Sequence, residues 1–337
     1  MQQSQIKTTT DPAKSDTFGH SKKLLVKLLI DLTLIGIGIA AYFIFPDNLG
    51  FITRVLIMII LVLSLDLVLG YAGVATLGHA ALFGAGAYGA GLFAIYFSAD
   101  PLLGLAVGAT AGAVIAFVSG LFLMRANGLT LLMLTIAVAQ ILQEIVNKER
   151  DITGGSDGLL GIDMDPILGI YAFDFFGRTG YMYALSVLFI VFFSLKILMA
   201  SPFGAMARGI HESAPRMRAI GTPVYWRLVG IYTISGLVAG LAGAVSAQVT
   251  ELVSLEAFGF ALSAEAMVML ILGGLGRLYG AIIGTIIFMV VHHTAASIDP
   301  FNWLFVIGTM VLIVVYFVPE GFMGLPVKLR RWLRWQK

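Results

Sequence analysis

The chain has 337 residues, of which 59% are hydrophobic and only 12% charged, with a mean hydropathy of +0.95 and a formal net charge of +2. A soluble domain of this length carries about a quarter charged residues, so composition excludes a soluble globular protein and identifies an integral membrane protein. The absence of cysteine excludes disulfides, thiolate nucleophiles and Cys-ligated metals.

Residues 1–23 hold no apolar core. They are therefore not a cleavable signal peptide and read as a solvated, disordered cytoplasmic tail. A helix that crosses the hydrocarbon needs about 20 mostly apolar residues. Runs of that order lie at 25–45, 51–70, 72–97, 101–124, 128–146, 180–199, 228–249, 263–276, 279–294 and 301–318. The third is glycine-rich and reads as a broken or re-entrant segment rather than a plain helix. The expectation is an all-α integral membrane protein of about ten transmembrane helices, its membrane domain covering 24–325, followed by a basic cytoplasmic tail at 326–337.

Charge orients the spans. With the N-terminus inside and the spans alternating, only Arg54, Lys148, Arg150 and Arg178 fall outside, leaving 17 of the 21 basic residues on the cytoplasmic side. An odd count would put one basic tail on the wrong side, so both termini are placed in the cytoplasm. Two non-membrane segments follow, an external loop at 147–179 and a cytoplasmic loop at 200–226.

Helices in lipid associate through small residues that let backbones approach. Gly104, Gly108 and Gly112 share one face of the fourth predicted span, Gly236, Gly240 and Ala244 one face of the seventh, and Gly280 with Gly284 one face of the ninth. These read as packing surfaces.

GGSDG at 154–158 fits the GxSxG pattern of a hydrolase nucleophile, Ser156. That chemistry needs a strand before the serine and a helix after it, whereas here a polar loop follows an apolar helix, which favours loop structure over catalysis. The histidines, His20, His79, His211, His292 and His293, show no metal-ligand spacing, and no metal site is expected. Ionisable residues within spans are functional candidates. Asp31, however, lies one turn from Lys27, Asp66 lies four residues before Gly70, and Glu144 and Glu265 lie near outer ends. None sits at the midplane with an opposite partner, which argues against an ion-coupled carrier. No GxxxxGK[ST] is present, so this chain does not use ATP by the P-loop route.

The stretch ARGIHESAPRMRAIG at 207–221 is too polar for a membrane interior. Ser201 and Pro202 offer an N-cap and first-turn pair. Ser213 and Pro215 mark a bend, and Gly221 suits a C-cap. Ala207, Ile210, Ala214 and Met217 form an apolar strip flanked by Arg208, Glu212, Arg216 and Arg218. Spacing alone leaves two readings open, a helix lying on the membrane surface and a knob that docks a cytoplasmic protein.

The string SPFGAMARGIHESAPRMRAIG at 201–221 resembles the cytoplasmic coupling loop of branched-chain amino acid ABC transporter permeases of the LivM-like family. LDLVLGYAGVATLGHAALFGAGAY at 65–88, ITGGSDGL at 152–159, ISGLVAGLAGA at 234–244, MLILGGLGRLYGAIIGT at 269–285 and VPEGFMGL at 318–325 resemble the same family in the same order. The resemblance implies a multi-pass permease of the bacterial cytoplasmic (inner) membrane, itself no enzyme and binding no cofactor. ATP and Mg would be used by two cytoplasmic ATPase subunits, solute would be delivered by a periplasmic binding protein, and a second homologous permease would complete the pore. It further implies that Arg208, Glu212, Arg216, Arg218 and Gly221 lie at the ATPase contact. Thr153, Gly154, Gly155, Ser156, Asp157 and Gly158 would lie at the outer face, and Gly73, Gly78, His79, Gly84 and Tyr88 would line or abut the pathway. Urea and amide permeases share these blocks, so the solute class stays open between amino acids and such small molecules.

Overall fold

A computed structural model describes residues 15–174 and 176–299, together with isolated positions between 302 and 321. The chain divides into two units, Met1–Asn48 and Leu49–Lys337. The first contains one long helix, α1 (Ser15–Ile44), and a 3-10 turn at Pro46–Asn48. α1 begins within the stretch read from sequence as a tail; residues 1–14 and the side chain of Lys27 lie outside the described residues.

The second unit is helical throughout its described residues, apart from two isolated β-bridges. Its helices are α2 (Leu49–Asp66), α3 (Ala80–Tyr96), α4 (Pro101–Leu123), α5 (Leu129–Lys148), the short α6 (Arg150–Thr153), α7 (Arg178–Ala200), α8 (Pro202–Ala219), α9 (Val224–Thr250), α10 (Phe260–Gly273) and α11 (Leu278–Ile298). Among the described residues, six helical segments are long and apolar enough to cross a membrane. The apolar helix Asp31–Ile44 within α1, α3 and α10 are shorter. Nine of the ten predicted apolar runs thus coincide with helix; the tenth, 301–318, and the basic tail at 326–337 fall largely or wholly outside the described residues.

Two kinds of helix face divide the bundle. α2 is enclosed: residues 59–66 expose at most 2% of their surface, among α7, α9, α10 and α11. α4 and α5 instead turn large apolar side chains outward, among them Phe117 and Phe122 on α4 and Met133, Ile141 and Ile145 on α5. Water would penalise such exposure, whereas hydrocarbon accepts it. This chain is a multi-pass membrane protein.

Small residues set the tightest contacts. α3, α4 and α9 pack as a trio in which a Cβ on Gly86 would collide with Gly240, and one on Gly112 with the carbonyl of Gly236. Gly273 and Gly280 hold α10 against α11 equally closely. Buried polar groups add fixed links. Tyr183 Oη donates to Gln248 Oε1 at 2.7 Å, and Gln248 Nε2 donates to the Pro101 carbonyl at 2.8 Å, which ties α7, α9 and the start of α4 together.

The predicted third span is broken. α2 ends in a π-helical turn, Leu67–Tyr71, and residues 72–79 are non-helical until α3 begins. Irregular backbone survives at such depth only where protein satisfies it. Here Val74 N donates to Val68 O at 2.9 Å, Leu77 N to Thr135 Oγ1 at 3.2 Å, Gly78 N to Thr76 Oγ1 at 3.3 Å and Ala80 N to Ser263 Oγ at 2.9 Å. Gly78 lies so close to the Thr135 carbonyl that a side chain would not fit.

Candidate functional site

Chemistry-bearing residues gather at the two ends of α2. At its C-terminal end, the π-helical turn meets α8 and the loop between α10 and α11. Asp66 is fully buried, and its Oδ1 accepts from Gly276 N at 2.8 Å, while Oδ2 has no hydrogen-bond partner. His211 on α8 brings Nδ1 to 3.0 Å from the Gly70 carbonyl oxygen, so that nitrogen carries the proton and donates. The same ring lies against Gly73, where a Cβ would come within 2.7 Å of it.

α8 is kinked at Ser213, whose φ of −161° and ψ of 93° leave the helical region, as the sequence predicts from Ser213 and Pro215. Pro202 occupies the first turn. Ser201 sits at the N-cap position without capping, because its hydroxyl donates to Leu198 O at 2.6 Å. Gly221 follows the helix with φ of +86°, the left-handed geometry that glycine tolerates. The apolar strip has a different destination from either reading: Ala207 and Ile210 are buried against this chain, with Ala214 and Met217 half-buried. The surface left outward carries Arg208, Glu212, Arg216 and Arg218, with Arg208 Nη1 also donating to Met199 O at 3.0 Å.

Of the predicted pathway residues, Gly73 borders a small pocket of about 160 Å3 near Asn127. The other four are buried in helix contacts, and none lines the large cavity described below. His79 Nε2 lies 2.8 Å from Ser64 Oγ and 3.4 Å from Ser235 Oγ, Gly84 packs under the Phe258 ring, and Tyr88 Oη donates to Val253 O at 3.4 Å.

The segment at 153–158, expected at the outer face, is a pair of tight turns. Thr153 Oγ1 bonds Val146 O at 2.5 Å and Glu149 O at 2.8 Å, and Gly154, Gly155 and Gly158 all have positive φ. Ser156 is exposed, with Oγ 3.4 Å from Asp157 Oδ1. No strand precedes it, so the nucleophile-elbow geometry is not formed. A bridge between Leu159 and Val253 pins the loop to the turn after α9.

At the N-terminal end of α2 lies a cavity of about 730 Å3 bounded by six helices and the turn between α9 and α10. Single helix faces point into it: Phe51, Arg54 and Met58 from α2, Leu262 and Glu265 from α10, and Met289, His292 and His293 from α11. Phe51 and His293 stack with ring centroids 4.3 Å apart. Nothing in the sequence joins these groups: Arg54 counts there only as a basic residue outside the cytoplasmic set, and the histidines show no metal-ligand spacing. The recoverable signal was that all of them fall at span ends on one side. No group of three His, Asp or Glu residues placed to hold a metal occurs among the described residues.

Comparison with known proteins gives the architecture a lineage. The profile of a family described as branched-chain amino acid transport system / permease component matches residues 48–315. The high-affinity branched-chain amino acid transport system permease protein LivM of Salmonella typhimurium is 28% identical over 298 residues, covering 80% of this chain and 68% of that protein. Its Escherichia coli counterpart is 26% identical over 292 residues with the same coverage. The ribose import permease protein RbsC of Bacillus subtilis is 32% identical over a shorter 177 residues, 47% of this chain and 53% of that one. No solved structure matches. With four-fifths of its length matched by the LivM proteins and all of α2–α11 inside the family profile, this chain belongs to the permease components of branched-chain amino acid transport systems.

Proposed function

We propose that this chain is a membrane-spanning permease subunit of an ATP-binding-cassette importer that carries branched-chain or related amino acids across the bacterial cytoplasmic membrane. It crosses the membrane about ten times with both termini in the cytoplasm. A second homologous permease, two cytoplasmic ATPase subunits using ATP and Mg, and a periplasmic solute-binding protein complete the assembly. The binding protein meets the face that carries residues 153–158, and the ATPase meets the charged face of α8.

The observation that carries this reading is the anchoring of α8. Its apolar side is spent on this chain and His211 bonds the π-helical turn at Gly70, while Arg208, Glu212, Arg216 and Arg218 remain outward. A helix merely resting on lipid would turn its apolar side to the bilayer. A helix that must transmit force needs a firm attachment inward and a polar face outward.

Co-purification of the tagged chain from its native membrane tests it. A P-loop ATPase and a second permease are expected with the wild type. Arg216→Glu together with Arg218→Glu should lose the ATPase while keeping the second permease. A chain that elutes alone and moves solute without regard to ATP would sink the proposal.

A further inference from the structure

Two charged groups that face the large cavity, Arg54 and Glu265, form no salt bridge among the described residues. A salt bridge does form elsewhere, between Glu144 and Lys148 at 3.8 Å on the exposed side of α5. Arg54 and Glu265 therefore face one cavity from two helices without an ion-pair partner. Charges placed within apolar helices are costly and persist where they serve a ligand or pathway. Part of the remaining wall is suited to hydrocarbon, with Phe51 and Met58 on α2, Phe83 on α3 and Met289 on α11, and the rest is polar, including Gln143, Thr250 and Glu256.

A neutral solute such as a sugar or an amide would leave both charges unmatched, and burying a charge without a partner is unfavourable. A simple anion would satisfy only Arg54, and a simple cation only the carboxylates, Glu265 on α10 and Glu256 on the turn before it. A zwitterion satisfies both. The guanidinium can hold a carboxylate through two parallel N–H···O bonds, and a carboxylate accepts from an ammonium. An aliphatic side chain then lies on the apolar wall, which is the usual composition of a small-molecule site.

We infer that this cavity is a binding site for the zwitterionic head of an aliphatic α-amino acid, with Arg54 receiving the carboxylate, Glu265 the ammonium and the Phe51–Met58–Phe83–Met289 wall the side chain. The inference rests on the permease reading above and assigns a solute contact to this chain itself, at the end of α2 away from α8.

Because the chain has no cysteine, Ser246→Cys places a single, nearly isosteric thiol on the cavity wall of α9. Membranes holding the whole assembly with this variant would be treated with a maleimide, without ATP, in the presence of leucine, 3-methylbutylamine or 4-methylpentanoate. These are the amino acid, its amine without the carboxylate and its acid without the ammonium. Leucine should slow labelling at least threefold and the two analogues should not, and adding Arg54→Gln or Glu265→Gln should abolish the protection. Protection by none of the three, or by all three equally, overturns the site. Leucine uptake by the wild-type assembly is measured in parallel. Uptake without leucine-specific protection overturns the site alone, whereas absence of uptake overturns the amino-acid permease reading and the site with it. Arg54→Gln and Glu265→Gln should each lower uptake at least tenfold with the partner subunits still recovered, and Arg54→Lys should retain more than Arg54→Gln. Uptake within twofold of wild type in both glutamine variants also overturns the site.

Discussion

His211 Nδ1 donates to the carbonyl oxygen of Gly70 across 3.0 Å, joining α8 to the one π-helical turn described in the chain. Such turns open the regular backbone ladder and expose carbonyls to other partners, which is how a side chain far along the sequence reaches this one. Removing the imidazole leaves that carbonyl without its partner, at about 1–1.5 kcal/mol. In the proposed assembly, His211→Ala should keep the ATPase bound yet lower solute moved per ATP hydrolysed by about fivefold to tenfold. The check is the ratio of uptake to hydrolysis in proteoliposomes, and an unchanged ratio would mean the contact transmits nothing.

The contact between Gly86 and Gly240 leaves no room for a β-carbon. Gly240→Val should force α3, α4 and α9 apart, at a cost of about 2–3 kcal/mol or more, since overpacking against backbone cannot be relieved by a rotamer change. Gly50→Val, where nothing lies within 4 Å of an added Cβ, is the control. Thermal melting of the two proteins in one detergent should separate them clearly, with Gly50→Val near wild type.

Asp66 holds the loop between α10 and α11 through a single oxygen, Oδ1, accepting from Gly276 N. Asp66→Asn retains an acceptor there and removes a buried carboxylate, so it should fold close to normally. Asp66→Ala orphans the Gly276 amide and should lose about 1–3 kcal/mol. Proteolysis of the α10–α11 loop in purified protein reports the difference; equal resistance of the two variants would show that the hydrogen bond is dispensable.

The turns at 153–158 make opposite predictions for two nearby residues. Thr153 is buried and its hydroxyl bonds two carbonyls, so Thr153→Val should cost about 1 kcal/mol or more and loosen the loop. Ser156 is exposed beside Asp157, so Ser156→Ala should leave both melting temperature and uptake unchanged. Loss of activity in Ser156→Ala alone would revive a chemical role for that hydroxyl.

The positions of nine apolar helices were legible because apolar runs with few charges mark them, while six of the described helical segments are long and apolar enough to cross a membrane. The side each helix presents was not. The runs that became α2 and α5 are both apolar, yet one is enclosed by neighbours and the other turns Met133 and Ile141 outward, since lipid and protein interior select the same residue types. The bend of α8 could be read from Ser213, Pro215 and Gly221, each a local backbone signal. Its apolar strip was misdirected because periodicity reveals an amphipathic face without naming what covers it. Gly73, Gly78, His79, Gly84 and Tyr88 were expected to line or abut the pathway, with helix packing an equal account of the glycines. In the fold Gly78, Gly84 and Tyr88 serve close packing, and His79 lies between Ser64 and Ser235. The large cavity was invisible from sequence because Arg54 and Glu265 are more than 200 positions apart and meet only through the packing of α2 with α10.

The enclosure of α2 limits how this molecule can change shape. Arg54 and Asp66 lie on one helix, separated by roughly 18 Å at about 1.5 Å of rise per residue. From Ile59 to Asp66 the side chains are enclosed, so this part of the helix can neither spin nor bend without disturbing α7, α9, α10 and α11 together. A displacement delivered at Gly70 is therefore felt at the cavity as a push along a stiff rod, arriving with little loss over that length. α5, the least enclosed of the six helical segments long and apolar enough to cross a membrane, is left as the part free to give way around it.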